Sequence, residues 1–309
     1  MFKKNITLSL TLISFIAAQD YSSYAGNYFN NGVDARSIAM GNGLTAGTDL
    51  NFPAYFNPAG VASVSSRKLL FTHQFLALDR RQSVISFTTP LPPIGGISVG
   101  WIGVGVNNID GRDLAGIHTN NLSATEDAFL ISFGIAPIRQ IQIGGTVKIL
   151  QNQLPNIDGN IIGKGVGFDF GALYNFNTNL NFAFVVKNIN SGYQWSNKLT
   201  DDLGRVYKDI FPIQIRSGVQ YKISSLIIAG EVGSYFADNE LLGLDYKIGT
   251  EYAYNNNYLF RAGYRNNRST FGVGFKYQQF DKFTSFIDYT LVVEPVAGLT
   301  HIISYAINF

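Results

Sequence analysis

From Lys68 to Phe309, large apolar residues recur at alternate positions in short runs separated by turn residues. That is the period of a strand with one apolar face. In 163–175, Val166, Phe168, Phe170 and Ala172 share one face, and Gly167, Asp169, Gly171 and Leu173 the other. In 241–254, Leu242, Leu244, Tyr246, Ile248 and Tyr252 oppose Gly243, Asp245, Lys247, Gly249 and Glu251. In 269–278, Phe271, Val273, Phe275 and Tyr277 oppose Gly272, Gly274 and Lys276. The pattern predicts fourteen strands: 68–78, 81–90, 96–108, 127–136, 141–151, 163–175, 180–187, 210–222, 226–234, 241–254, 258–266, 269–278, 283–293 and 300–309. The chain therefore reads as all-β. Two architectures use such alternation. A soluble sandwich buries the apolar face and wets the polar one. A transmembrane barrel turns the apolar face to lipid and the polar face to its lumen.

Connection lengths and charges favour the barrel. Every connection longer than ten residues (109–126, 152–162 and 188–209) falls in one alternate set, and the other set holds only short turns. Long loops on one side and short turns on the other is the layout of an antiparallel outer-membrane barrel, with both barrel ends on the short-turn side. Four oppositely charged pairs are each symmetric about a predicted turn. Asp169 and Lys187 flank Thr178, Arg216 and Glu231 flank the Ile223–Ser224 bond, Glu251 and Arg261 flank Asn256, and Lys276 and Asp288 flank Lys282. Each pair is expected to face across a hairpin on the lumen side. Such pairs contribute only ~0.2–1 kcal/mol each, so their value is in marking register and satisfying the lumen. Gly96, Gly100, Gly103 and Gly105 mark the third strand as a place where a kink is tolerated.

Composition narrows the class. Charged residues are 14% of the chain, against roughly 25% in soluble domains. The 24 Phe and 17 Tyr exclude a disordered chain. A net charge of +2 gives no basic face for nucleic acid. There is no Cys, hence no disulfide framework and no thiolate chemistry. Lys3 and Lys4 before the apolar stretch Ile6–Ala18 have the order of a secretory signal, with cleavage expected after Ala18 or Ala25. At the other end His301, Ile303, Tyr305, Ile307 and Phe309 alternate with Ile302, Ser304, Ala306 and Asn308 up to the last residue. Tyr305, Ile307 and Phe309 resemble the terminal strand of bacterial outer-membrane proteins, whose final aromatic is read by the barrel assembly machinery.

Residues 26–67 do not alternate. They contain Ala35-Arg36-Ser37 leading to Met40-Gly41, an acidic turn, and Tyr55-Phe56-Asn57-Pro58-Ala59-Gly60. These blocks resemble the N-terminal signature of the PorV/PorQ family, a branch of the FadL-like outer-membrane barrels. Weaker echoes are Asp110-Gly111-Arg112-Asp113, Phe168–Tyr174, Gly249–Tyr252 and Arg261–Arg265. The resemblance implies an N-terminal hatch, 26–67, inside a barrel of about 14 strands, 68–309. It makes Arg36, Asn57, Pro58, Ala59 and Gly60 the hatch motif. A lumen that wide needs a filling, and Ile38, Met40, Leu44, Phe52, Tyr55, Phe56 and Val61 supply one.

No catalytic constellation appears. His73, His118 and His301 lack metal-ligand spacing, so no metal, cofactor or enzyme activity is expected. Gly163-Lys164-Gly165-Val166-Gly167 opens a strand, where a phosphate loop must open a helix. The resemblance implies a bacterial outer-membrane protein in one of two roles. The first is a secretion-associated barrel of type IX kind, with exported cargo proteins or secretion subunits engaging the loops 109–126 and 188–209. The second is a FadL-like transporter of small hydrophobic compounds. Tyr193, Trp195, Tyr235 and Phe236 would line an entrance in the second case, but are read here as ordinary interfacial girdle aromatics. In both roles the outer face meets membrane lipid.

Overall fold

The computed structural model describes residues 23–156, 159–196, 206–279, 283–295 and 298–309. The expected signal segment up to residue 22, with its Ala18 cleavage point, lies outside them. The strands are β1 Lys68–Phe75, β2 Arg81–Leu91, β3 Gly95–Arg112, β4 His118–Ile138, β5 Ile141–Asn156, β6 Gly159–Asn175, β7 Leu180–Ile189, β8 Gly192–Ser196, β9 Val206–Ile210, β10 Ile213–Ile223, β11 Leu226–Ala237, β12 Glu240–Tyr254, β13 Tyr258–Arg265, β14 Arg268–Gln279, β15 Phe283–Glu294 and β16 Gly298–Asn308. All pairings are antiparallel. Fourteen strands close into a barrel as β7 pairs with β10 and β1 with β16. Closure leaves no open edge in the ring.

The two faces settle which architecture the alternation belongs to. Phe271 is 53% exposed and Ile248 56%, whereas Asp245 is 1% and Arg216 4% exposed. Apolar side chains point out and charges point in, the reverse of a soluble core. A continuous apolar belt of this kind is the outer surface of a membrane-type barrel.

Three long connections differ from expectation. Strands β3 and β4 run on to Arg112 and His118, and β5 and β6 to Asn156 and Gly159, so 109–126 and 152–162 are mostly tall hairpins. Above the bilayer no lipid demands an apolar face, so the alternation fades while the pairing continues. The connection 188–209 contains β8 and β9, an extra hairpin that pairs with β6 through Gly163↔Trp195 and Lys164↔Gln194. The third strand does not kink at its glycines. Its ladder is unbroken from Gly95 to Gly105 against β2 and from Gly95 to Val106 against β4.

Residues 26–67 thread the lumen from the tall-hairpin end to the short-turn end. Gly26 lies on Phe211 at one end, and Ala62 and Val64 lie beside Pro92 and Pro137 at the other. Short elements punctuate the segment. Asp34 caps α1 (Ala35–Ala39) by accepting from Ser37 N at 2.7 Å, and Gly41, at φ 65°, ends it. Pro53 opens α2 (Pro53–Phe56), where its missing N–H costs nothing. Asn57 caps the 3-10 turn Pro58–Ser63 by accepting from Ala59 N at 3.0 Å. Each cap consumes a polar group that the lumen would otherwise have to satisfy.

Candidate functional site

The first half of the hatch docks on β12–β16. Arg36 forks onto Glu251 at 2.8 and 2.7 Å, Glu251 also holds Arg261 at 2.5 Å, and Arg261 holds Asp288 at 2.6 Å. Burial opposes the charge on Arg36, but the adjoining Glu251 carboxylate outweighs it and holds the guanidinium above its ordinary pKa. Hydroxyls finish the docking. Ala35 N–H donates to Ser304 at 2.7 Å, while Thr290 and Thr270 donate to the carbonyls of Ala35 and Ala39 at 2.6 and 2.9 Å.

The lumen charges pair less simply than symmetry about the turns predicts. Glu251 does stand opposite Arg261. Arg216 and Glu231 form an ion pair at 2.7 Å but sit diagonally, opposite Gly233 and Gly218, because the turn is Ser224–Ser225. Asp169 falls in a β-bulge between Phe168 and Phe170. It pairs with Lys148 at 2.6 Å, while Lys187 donates to the Tyr55 carbonyl at 2.7 Å. Lys276 stands opposite Phe286 and Asp288 opposite Gly274, a two-residue slip that hands Asp288 to Arg261. Hairpin symmetry fixes the face a charge occupies. A bulge or a turn two residues shifted reassigns its partner.

The second half of the hatch docks on β3–β6 with hardly any charge. Gly96, Gly134, Gly144 and Gly171 are cross-strand neighbours in one row around the wall. A Cβ on these four would strike the Val61 carbonyl, the Pro58 carbonyl, the Pro58 backbone and the Asn57 side chain. A second pair, Gly249 opposite Gly263, lies under Met40 and Gly41 in the same way. Both blocks singled out in the hatch thus rest on bare backbone. Asn57 also donates to the Ala172 carbonyl at 3.0 Å, and Ala59 and Gly60 pack behind it. The glycine rows were missed from sequence; their signal is inward-facing glycines that fall into register once the strands are paired.

At the tall-hairpin end an aromatic cluster packs inside the barrel. Tyr28 and Phe29 of the hatch meet at 4.4 Å, Phe29 and Phe211 at 6.0 Å, Tyr193 and Phe211 at 5.1 Å, and Tyr193 and Trp195 at 5.8 Å between centroids. Tyr193 and Trp195 come from the β8 strand folded inward, and both are buried. Tyr235 is buried too, its hydroxyl accepting from Arg216 at 2.6 Å. These three are therefore lumen residues and no girdle; Phe236 alone sits half-buried on the outer face. Tyr193 Oη lies 3.4 Å from Glu126. Burial pushes the Tyr28 and Tyr193 phenols up, so both stay neutral, and Tyr193 donates to Glu126 and to the Tyr28 hydroxyl. Beside them opens a cleft of about 310 Å³ lined by Tyr28, Val104, Glu126 and Leu154.

Tyr305 and Ile307 lie on the outer face of β16, and Phe309 exchanges backbone hydrogen bonds of 2.9 Å with Arg67 beside the start of β1.

No known family matches the sequence, and no curated protein does. Solved structures with the same fold do exist. The CymD monoaromatic hydrocarbon channel aligns over 90% of this chain and 98% of its own, with a TM-score of 0.66 at 12% identity. A Pseudomonas aeruginosa FadL homologue aligns over 90% and 98%, with 0.64 at 9% identity. The Pseudomonas putida toluene transporter TodX aligns over 90% and 97%, with 0.62 at 13% identity. The chain therefore shares its fold with these solved structures.

Proposed function

We propose that this chain is a bacterial outer-membrane channel that admits small hydrophobic compounds, with the hatch as its plug. The supporting observation is the buried cluster of Tyr28, Phe29, Tyr193, Trp195 and Phe211 at the lumen mouth, beside the 310 Å³ cleft. The cleft lies at the lower end of small-molecule site volumes; Tyr24, Tyr28, Val104, Val106 and Leu154 give it an apolar part beside the polar Asn27, Asn31, Thr125, Glu126 and Asn152, room for one small apolar ligand. Two of the aromatics belong to the hatch, so a ligand displacing them acts on the plug. The tall hairpins then face outward and the short turns face the periplasm.

Secretion stands second. The Asn57–Gly60 resemblance raised it, but the solved structures of like fold are channels and transporters. Uptake of radiolabelled toluene by cells lacking their own hydrophobic-compound channels separates the two. Expression of the chain is expected to raise uptake, and Phe211→Ala with Tyr193→Ala to change its rate. No gain over empty vector, together with an exported protein co-purifying from the native membrane, would return the secretion role to first place.

A further inference from the structure

We propose that the middle of the lumen binds a small monovalent anion, of chloride size, on Arg265. Two voids of about 20 and 30 Å³ meet there, and Arg265 and Asn42 line both. Each void accommodates one or two water-sized bodies, which is the scale of a halide.

The charges around these voids do not balance. Arg265 is only 8% exposed, yet among the described residues its guanidinium has neither a hydrogen bond nor a carboxylate within 4.0 Å. Its neighbours on the first void are already committed. Arg216 spends its donors on Gln214, Glu231, Asp245 and Tyr235. Lys247 bonds Glu231 at 2.8 Å and reaches Asp245 at 3.4 Å, and Lys148 bonds Asp169 at 2.6 Å. Lys187 also lines this void, and no described carboxylate lies within ion-pair distance of it; it donates to the Tyr55 carbonyl and lies 4.4 Å from the Tyr55 ring centroid. Arg268 and Glu294, 3.4 Å apart, line the second void, so among the described residues six cations surround the space against four carboxylates, Asp169 included. A buried cation without a counterion is among the costliest arrangements in a fold, and a bound anion removes the imbalance. Asn42 Oδ1 and Asp245 Oδ1, which have no donor, mark the part of the wall that an anion avoids. Asp245 also offsets part of the local positive field, which favours a single charge over a divalent anion.

The test is diffraction from crystals of the full mature chain in which bromide replaces chloride, with data collected at the bromine edge. An anomalous peak within hydrogen-bond distance of the Arg265 guanidinium is expected. No peak at full bromide exchange overturns the proposal. In parallel, the unfolding midpoint in detergent is compared in chloride and in gluconate at matched ionic strength. An ion bound only by the folded state makes the midpoint rise with chloride concentration. Arg265→Leu is expected to abolish that rise and Lys276→Leu to retain it. Equal midpoints for the unmodified chain in both salts count against the site. If Arg265→Leu fails to fold, the bromide map and the unmodified chain's salt series decide alone.

Discussion

At Ala35–Gly41 the hatch meets β12–β16 through a fork of ions and three hydroxyls, with two glycines beneath. At Asn57–Val61 it meets β3–β6 through a row of four glycines and one side-chain hydrogen bond to the wall. The ionic contact is directional. It fixes which way α1 points, and it fails when a partner is removed, because the charges left behind stay buried. The glycine contact has little direction. It fixes how closely the plug approaches the wall, and it fails when an atom is added. A plug held at one end by bonds and at the other by fit can be released by different means at each end.

The largest effect is expected from Glu251→Ala. It leaves Arg36 and Arg261 facing each other in the lumen without their shared carboxylate, and removing one partner of a buried pair costs about 3–5 kcal/mol. Urea unfolding in detergent measures it. A loss under about 1 kcal/mol would mean that water reaches this network freely. Next comes Gly144→Val, whose Cβ overlaps the Pro58 backbone, which cannot turn aside. Overpacking of this kind costs about 1–3 kcal/mol. Protease should then cut around 57–67 while α1 stays protected. Gly230→Ala is the control, since the nearest atom to its added Cβ is 3.9 Å away. Asn57→Ala follows, with the loss of a cap and of the bond to Ala172, about 1–2 kcal/mol. Faster hydrogen exchange at 57–61 with none at 35–39 would show the two ends to be independent; equal acceleration at both would show one cooperative plug.

The same contrast explains what the sequence makes legible. Lipid imposes alternation, so all fourteen barrel strands are found, thirteen with bounds within five residues and β4 starting nine residues earlier than expected, and charges such as Asp245 and Glu251 are placed on the correct face. Ion pairing is only half legible. Glu251 and Arg261 oppose each other as counted, but the Ser224–Ser225 turn moves Arg216 by two places and the bulge at Asp169 gives it Lys148 instead of Lys187. The inward fold of β8 is invisible from pattern, because Tyr193 and Trp195 near a barrel rim look the same whether they face lipid or lumen. The glycine row is legible only after pairing, since no single strand shows it.

The smallest effect belongs to Tyr55, which sits between the two ends and ties the hatch to itself. Its hydroxyl donates to the Phe29 carbonyl, and Lys187 lies 4.4 Å from its ring centroid. Tyr55→Phe removes one buried hydrogen bond and should cost about 1 kcal/mol at neutral pH. Alkali sharpens the test. Burial pushes the phenol up to about 12 from an ordinary value of 10. A group raised on folding contributes stability that is complete below its unfolded value and is lost as pH rises through the folded one. Hatch protection should therefore hold to about pH 10 and fall toward pH 12. Lysines titrate in the same window in both chains, so the difference between the unmodified chain and Tyr55→Phe isolates the phenol. Proteolysis of residues 28–56 across that range should show a steeper alkaline loss in the unmodified chain. Identical profiles would place the Tyr55 hydroxyl in contact with water, leaving the bonds between hatch and wall to hold the plug.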